Sequence, residues 1–277
     1  MRAFLLELVA IVVISIVLVC AALGMLPGDP ATAWLGRTQD LITTAFTFHF
    51  ADARWANPSA FAVIFRAAML SVTIIGATAF LLVLIGVPLG VLSVTRSRSR
   101  RVQLARQAVS AASSLPVLVL GTVIYVVLGR QFGVTVREDT SLVAAIAASI
   151  VALSLGDRLL ADIVQRVELA TCAVLDEPYM RAVRAANLGF HRHLLQSLVP
   201  PVAEALAARS MFLISGAIVA ELVFYVHGLG FTVEHAVATN DDPRLILASA
   251  MALVAIGLCF RVLHRGAIAF ADARRRA

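Results

Sequence analysis

No lysine occurs anywhere in the 277 residues; all 23 basic side chains are arginine. A Walker-type phosphate loop needs a lysine on the β- and γ-phosphates, so this chain carries no such ATPase site. Charge of either sign is scarce. It amounts to 14% of residues, where a soluble chain carries roughly a quarter. Cysteine is scarce too. Cys20, Cys172 and Cys259 lie far apart, fit neither a metal-ligand spacing nor a disulfide framework, and read as small buried hydrophobes. No internal repeat with a period of roughly 20–50 residues is visible. The net charge of +6 would suggest nucleic acid in a soluble protein. Here the arginines sit in short connectors between apolar runs, so nucleic acid is not an expected partner and membrane lipid is.

What the chain has in abundance is apolar sequence, 60% of residues, with a mean hydropathy of +0.91. Six runs stand out, over 6–26, 67–94, 108–129, 141–164, 201–226 and 245–268. Each is about 20 residues or more, enough to cross a hydrocarbon core of about 30 Å. Each must be helical, because lipid offers no partner to an open backbone. The expected fold is therefore all-α, a polytopic membrane protein with a single transmembrane domain over 1–277. The first run lacks a dense basic leader and is long for a signal peptide, so it reads as a retained span.

Arginine placement sets the expected orientation. The connector TRSRSRRVQLARQ after the second run holds five arginines and no acid. The connector after the fourth holds Arg166, Arg181, Arg184 and Arg192, and the chain ends in ADARRRA. The other three connectors are mixed or acidic, with Asp29, Asp40 and Asp52 in the first, Glu138 and Asp139 in the second, and Glu234, Asp241 and Asp242 in the third. Positive connectors stay inside, so both termini are expected in the cytoplasm of a multi-pass cell-membrane protein.

Local punctuation agrees. LPGDP (26–30) stops the first run, since Pro30 holds Asp29 extended. HGLG (227–230) is expected to be a turn after the fifth run. GVPLG (86–90) has GxxxG spacing and reads as a closely packed helix with a proline inside.

One stretch of the second half is not built for lipid: DEPYMRAVRAANLGF, 176–190. Pro178 suits a first helical position, and Asp176 and Glu177 precede it where the helix dipole favours acid. At 100° per residue, Tyr179, Ala182, Val183, Ala186 and Phe190 share a face, and Arg181 and Arg184 take the other, with Leu188 between them. The expected element is a helix of about three turns, too short to cross and too polar to enter lipid. It either lies along the interface with its arginines near headgroups or fits a groove of a partner protein.

Other polar residues carry weaker signals. SLGD (154–157) has the glycine–aspartate of intramembrane proteases, but no second carboxylate lies at depth, so Asp157 and Arg158 read as polarity at a span end. His191 and His193 lack supporting ligands and read as solvated charge. Glu204, Arg209 and Arg261 near span ends are explained by snorkelling, and Arg66 and Arg130 by the outer membrane edge. Glu221, near the end of the fifth run, lines the exit of a pathway, pairs with a partner's arginine, or reaches the outer interface.

The order YMRAVRAANLG, LVPP (198–201), ELVFYVHGLG (221–230) and DDP (241–243), with PGDP after the first run, resembles the permease subunits of ABC importers, nearest the oligopeptide/dipeptide/nickel branch. The resemblance implies a permease driven by ATP hydrolysis on separate chains, carrying short peptides or a similar small solute. It implies a second permease subunit, two cytoplasmic ATPase subunits and an extracytoplasmic solute-binding protein as partners, with no cofactor and no covalent catalysis. The segment 176–190 then corresponds to the coupling helix, and Tyr179, Arg181, Arg184, Ala185, Ala186 and Gly189 to its ATPase-contacting positions. Three features depart from the pattern. Ala186 and Asn187 replace a lysine–glycine pair, the distance to Pro200 is short, and most of the segment between the first two spans is missing. The alternative from composition is a stand-alone secondary transporter or channel. Such a protein would carry carboxylates in mid-span, and few are present.

Overall fold

The computed structural model of the chain describes residues 2–24, 32–47, 60–133, 136–186, 189–238 and 243–276. All regular structure among them is helical. The helices are α1 (Arg2–Gly24), α2 (Thr32–Thr47), α3 (Ala60–Thr95), α4 (Arg100–Ala112), α5 (Val117–Phe132), α6 (Glu138–Leu155), α7 (Leu159–Asp176), α8 (Pro178–Ala185), α9 (Phe190–Val223), α10 (Leu229–Ala238) and α11 (Pro243–Arg276). Four stretches among the described residues are long and apolar enough to cross a bilayer: Ala62–Thr95, Glu138–Asp176, Phe190–Val223 and Arg244–Ala269. The bent pair α4 and α5 raises the number to five if the two count as one span, and Val9–Ala22 of α1 is a shorter apolar helix.

At the centre lie α3, α7 and α9. Ile74 and Leu82 of α3, Ile163 of α7, and Leu198 and Leu213 of α9 are all buried in one core with Leu153 and Phe224. The glycines of GVPLG set the distance between α3 and α7. A Cβ on Gly86 would sit 2.7 Å from Ile163 Cγ2, and one on Gly90 would sit 2.7 Å from Val167 Cβ. Two glycines four apart face two branched residues four apart, so the helix backbones nearly touch. A second, smaller cluster joins α1, α2 and α11 through Ile16, Cys20, Leu41, Ala45 and Leu247.

Three of the runs expected from hydropathy are broken or extended in the structure. The third run, expected over 108–129, is split, because α4 stops at Ala112 and the chain bends by 100° into α5. Pro116 forces the change; it precedes α5 and cannot donate within a continuous helix. The fourth, expected over 141–164, extends to 138–176 and is interrupted by a tight turn at Gly156–Arg158. The fifth begins eleven residues early, at Phe190, and runs through Pro200 and Pro201. Both prolines have helix-compatible φ, and a membrane helix tolerates the lost donors where neighbours supply compensating contacts. HGLG is not a plain turn: Leu229 and Gly230 open α10. The connector after the first run also holds a helix, α2, that hydropathy did not reveal. PGDP, Asn187, Leu188, Asp241 and Asp242 lie outside the described residues.

The two interruptions meet. Asp157 N–H donates to the Leu115 carbonyl at 3.1 Å, and Arg158 N–H to the Ser113 carbonyl at 3.0 Å. Val117 N–H approaches Asp157 Oδ1 at 3.4 Å. Backbone groups freed by one break are thus taken up by the other, as apolar surroundings require. Asp157 and Arg158 hold positive φ, 50° and 62°, a conformation that non-glycine residues adopt only when the surroundings impose it. Gly156 has no room for a side chain, since a Cβ there would lie 2.8 Å from Val117 Cα. Asp157 is therefore a joint between helices, not polarity at a span end.

Candidate functional site

The expected short helix is present as α8, and Pro178 occupies its first turn. It is shorter than expected, because Ala186 closes it and Gly189, with φ 54°, starts α9. Phe190 therefore belongs to α9 and not to the face of α8. The inward side also differs. Met180 is 1% exposed and packs into the main core, and Val183 is half-buried beside it. Every position picked for partner contact is exposed: Tyr179, Arg181, Arg184, Ala185, Ala186 and Gly189. Met180 was missed because one methionine among arginines and alanines gives no periodic signal over eight residues.

Two contacts hold the ends of α8. The Tyr179 hydroxyl and Ser197 Oγ of α9 lie 2.7 Å apart in a hydrogen bond. The Arg184 guanidinium stacks over the Phe190 ring, 4.8 Å from its centroid. An open hollow of about 500 Å³ lies at this joint, lined by Arg184, Gly189, Phe190, His191 and Arg192. Two arginines and the Phe190 ring are among its lining, a chemistry that suits an acidic or aromatic side chain.

Glu221 is placed far from solvent. It is completely buried at the end of α9. Its Oε1 accepts from Ser71 Oγ at 2.6 Å and its Oε2 from Gly230 N–H at 2.7 Å. Ser71 Oγ in turn accepts from Leu229 N–H at 2.8 Å. Two orphan donors at the start of α10 are thus satisfied by side chains of α3 and α9. The motif ELVFYVHGLG acquires a reason. A Cβ on Gly228 would fall 2.3 Å from the Glu221 carboxyl carbon, and one on Gly230 would fall 2.8 Å from Ile218 Cα. Phe224 is fully buried, and Tyr225 turns the chain at φ 52°. Ser71 is 150 residues from Glu221, and nothing in the sequence links them.

Two further assignments change. Arg209 does not snorkel: its guanidinium pairs with Asp162 of α7. Arg158 approaches the same carboxylate at 4.0 Å. Arg66 pairs with Glu138 at 2.8 Å, and Glu138 also accepts from the His227 backbone N–H at 2.6 Å, tying α3, α6 and the α9–α10 joint together. Of the three cysteines, only Cys20 is buried; Cys172 and Cys259 are exposed, and all three are free.

Helices this long and apolar, with a short polar helix set between two of them, are those of an integral membrane protein. The chain belongs to the binding-protein-dependent transport system inner membrane components, which residues 83–271 match. It is thus an ABC-importer permease component, of a family that works with ATPase and binding-protein partners. The match takes in α4 to α10, the last third of α3 and most of α11, and so includes α8 and Glu221 but not Ser71. No curated protein matches the chain.

Proposed function

We propose that this chain is one half of the membrane-spanning pair of an ABC importer, and that α8 is the coupling helix through which a cytoplasmic ATPase moves it. The observation that carries this is the division of α8 into an anchored and an open side. Met180 ties the helix to the core, while Tyr179, Arg181, Arg184, Ala185, Ala186 and Gly189 stay exposed beside a basic hollow. A displacement of α8 would therefore pass into α7 and α9. The small alanines permit close approach, the aromatic ring anchors, and the arginines orient against acidic groups.

On this reading the chain crosses the membrane six times with both termini in the cytoplasm. A second permease, identical or different, completes the pathway. Two ATPases close on ATP, the pair shifts between inward-open and outward-open arrangements, and an extracytoplasmic binding protein delivers the solute. The solute is a short peptide or a similar small molecule, by resemblance to the oligopeptide/dipeptide/nickel branch. The chain performs no covalent chemistry. Glu221 holds the α9–α10 joint in place of lining the pathway, since both its oxygens already have donors.

The test is R184E/A185E in the assembled complex. Charge reversal at the hollow should abolish solute-stimulated ATP hydrolysis while complex yield and basal hydrolysis persist. Unchanged stimulation would remove α8 from the coupling role. Solute uptake by the purified chain alone in sealed vesicles, with no nucleotide hydrolysed, would replace the whole reading with a secondary transporter.

A further inference from the structure

Nothing in the coupling role uses the connector between α3 and α5. Immediately after Thr95 come Arg96, Arg98, Arg100, Arg101 and Arg106, with no acid from 95 to 112. All five are exposed. Arg106 pairs with Glu168 of α7 at 3.1 Å, and no other of the five is in an ion pair among the described residues. No residue of α4 is buried.

The helix has two apolar edges. Val102, Val109 and Ala112 are half-buried, with Val109 against the main core. Leu104, Ala108 and Ala111, spaced i, i+4, i+7, are exposed; Leu104 is 64% exposed and Leu115 follows beyond the helix. At 100° per residue, Arg100 and Arg101 flank this second strip on either side. The direction of α4 is set by its 100° bend from α5. Where α5 crosses the bilayer, a helix at that angle lies nearly in the membrane plane, at the level where α3 leaves it.

We propose that α4 is an interfacial helix that binds anionic phospholipid. Arg96, Arg98, Arg100 and Arg101 hold headgroup phosphates, and Leu104, Ala108 and Ala111 sit in the acyl boundary. A membrane is favoured over an acidic protein face because cations flank an apolar row, beside a span and parallel to its surface. The lipid thereby braces the bend whose Ser113 and Leu115 carbonyls hold the α6–α7 break. This inference is independent of which solute is carried and of how α8 docks.

The experiment is native mass spectrometry of the purified full chain titrated with phosphatidylglycerol or phosphatidylcholine. Wild type should retain phosphatidylglycerol preferentially, and the preference should fade as salt rises toward about 1 M, where screening acts within about 3 Å. R96Q/R98Q/R100Q/R101Q should lower phosphatidylglycerol occupancy by up to about fivefold per arginine removed. The corresponding quadruple lysine variant should keep most of it, and Arg130→Gln should change nothing. Should the quadruple glutamine variant not fold, R98Q/R101Q and Leu104→Asp provide the same comparison with less perturbation. Equal retention of both lipids by wild type overturns the proposal. So does a folded glutamine variant with wild-type preference, including one that instead loses a protein partner.

Discussion

A carboxylate in an apolar helix is expensive unless something takes up its oxygens, and Glu221 shows what does. Its donors are the Ser71 hydroxyl and the backbone N–H groups of Gly230 and Phe231, the latter two in the helix it caps. Glu221→Ala would strand Gly230 N–H and release Ser71, each buried group costing about 1–3 kcal/mol. Glu221→Gln keeps one acceptor and turns an NH2 toward one of the donors, so its loss should be smaller. The expected order of thermal midpoint in detergent is wild type, then Gln, then Ala, and a Gln variant as poor as Ala would show that the charge itself matters. Gly228→Ala attacks the same joint by volume, with a Cβ 2.3 Å from the Glu221 carboxyl carbon. It should destabilise by about 1–3 kcal/mol, in the range of overpacked cores. Combining Gly228→Ala with Glu221→Ala should cost less than the sum of the two, because truncation removes the obstructing carboxyl. The sequence showed these residues as a motif but not as a joint. Glu221, Phe224, Gly228 and Gly230 are local and visible in one line of text, whereas Ser71, which completes the joint, comes from another helix and leaves no trace in spacing.

Helix by helix, what was legible is what depends on composition over many residues. The apolar stretches within α3, α9 and α11 could be read from hydropathy because each is apolar over a length sufficient to cross the bilayer. Breaks were not legible, because they depend on two distant loops supplying each other's hydrogen bonds. The 113–116 bend and the 156–158 turn are each unremarkable alone; together they satisfy Asp157 and Arg158 N–H. Likewise Arg209 read as a snorkelling side chain because its partner Asp162 lies on another helix. GVPLG was legible as a packing signal but not its partner. That partner makes a discriminating test possible. Gly86→Ala collides with Ile163 Cγ2 at 2.7 Å, while Ile163 Cβ stays at 3.4 Å, so Ile163→Ala should recover much of the loss. Gly90→Ala meets Val167 Cβ at 2.7 Å and the Val164 carbonyl at 2.9 Å. Trimming Val167 to alanine removes neither, so Gly90→Ala should stay damaged. Thermal midpoints of the two double variants decide it: equal rescue would mean that α3 and α7 simply move apart.

Over the whole molecule, helix length and charge point the same way. At about 1.5 Å per residue, α3 with 36 residues and α9 and α11 with 34 each span over about 50 Å. The α6–α7 stretch of 39 residues is longer still. A hydrocarbon core is about 30 Å thick, so all four must project from it. The polar surplus is not evenly shared. Arg96 follows the end of α3, Arg166 and Glu168 lie in the last third of the α6–α7 stretch, His191, Arg192 and His193 open α9, and Arg274, Arg275 and Arg276 close α11. Those ends belong on one side if successive crossings alternate, and α8 sits among them. The opposite ends carry Arg66, Glu138, Asp139 and His227, a mixed set. The basic side should be cytoplasmic. Single cysteines at Ser97 and Asp139, both exposed, test this in a background where Cys20, Cys172 and Cys259 are replaced. In intact cells a membrane-impermeant maleimide should label Asp139→Cys and spare Ser97→Cys, and permeabilisation should open Ser97→Cys to the reagent. The reverse pattern would put α8 on the outer face, where no ATP-driven partner could reach it, and labelling of both in intact cells would mean that the helices do not alternate across the bilayer as their charges demand.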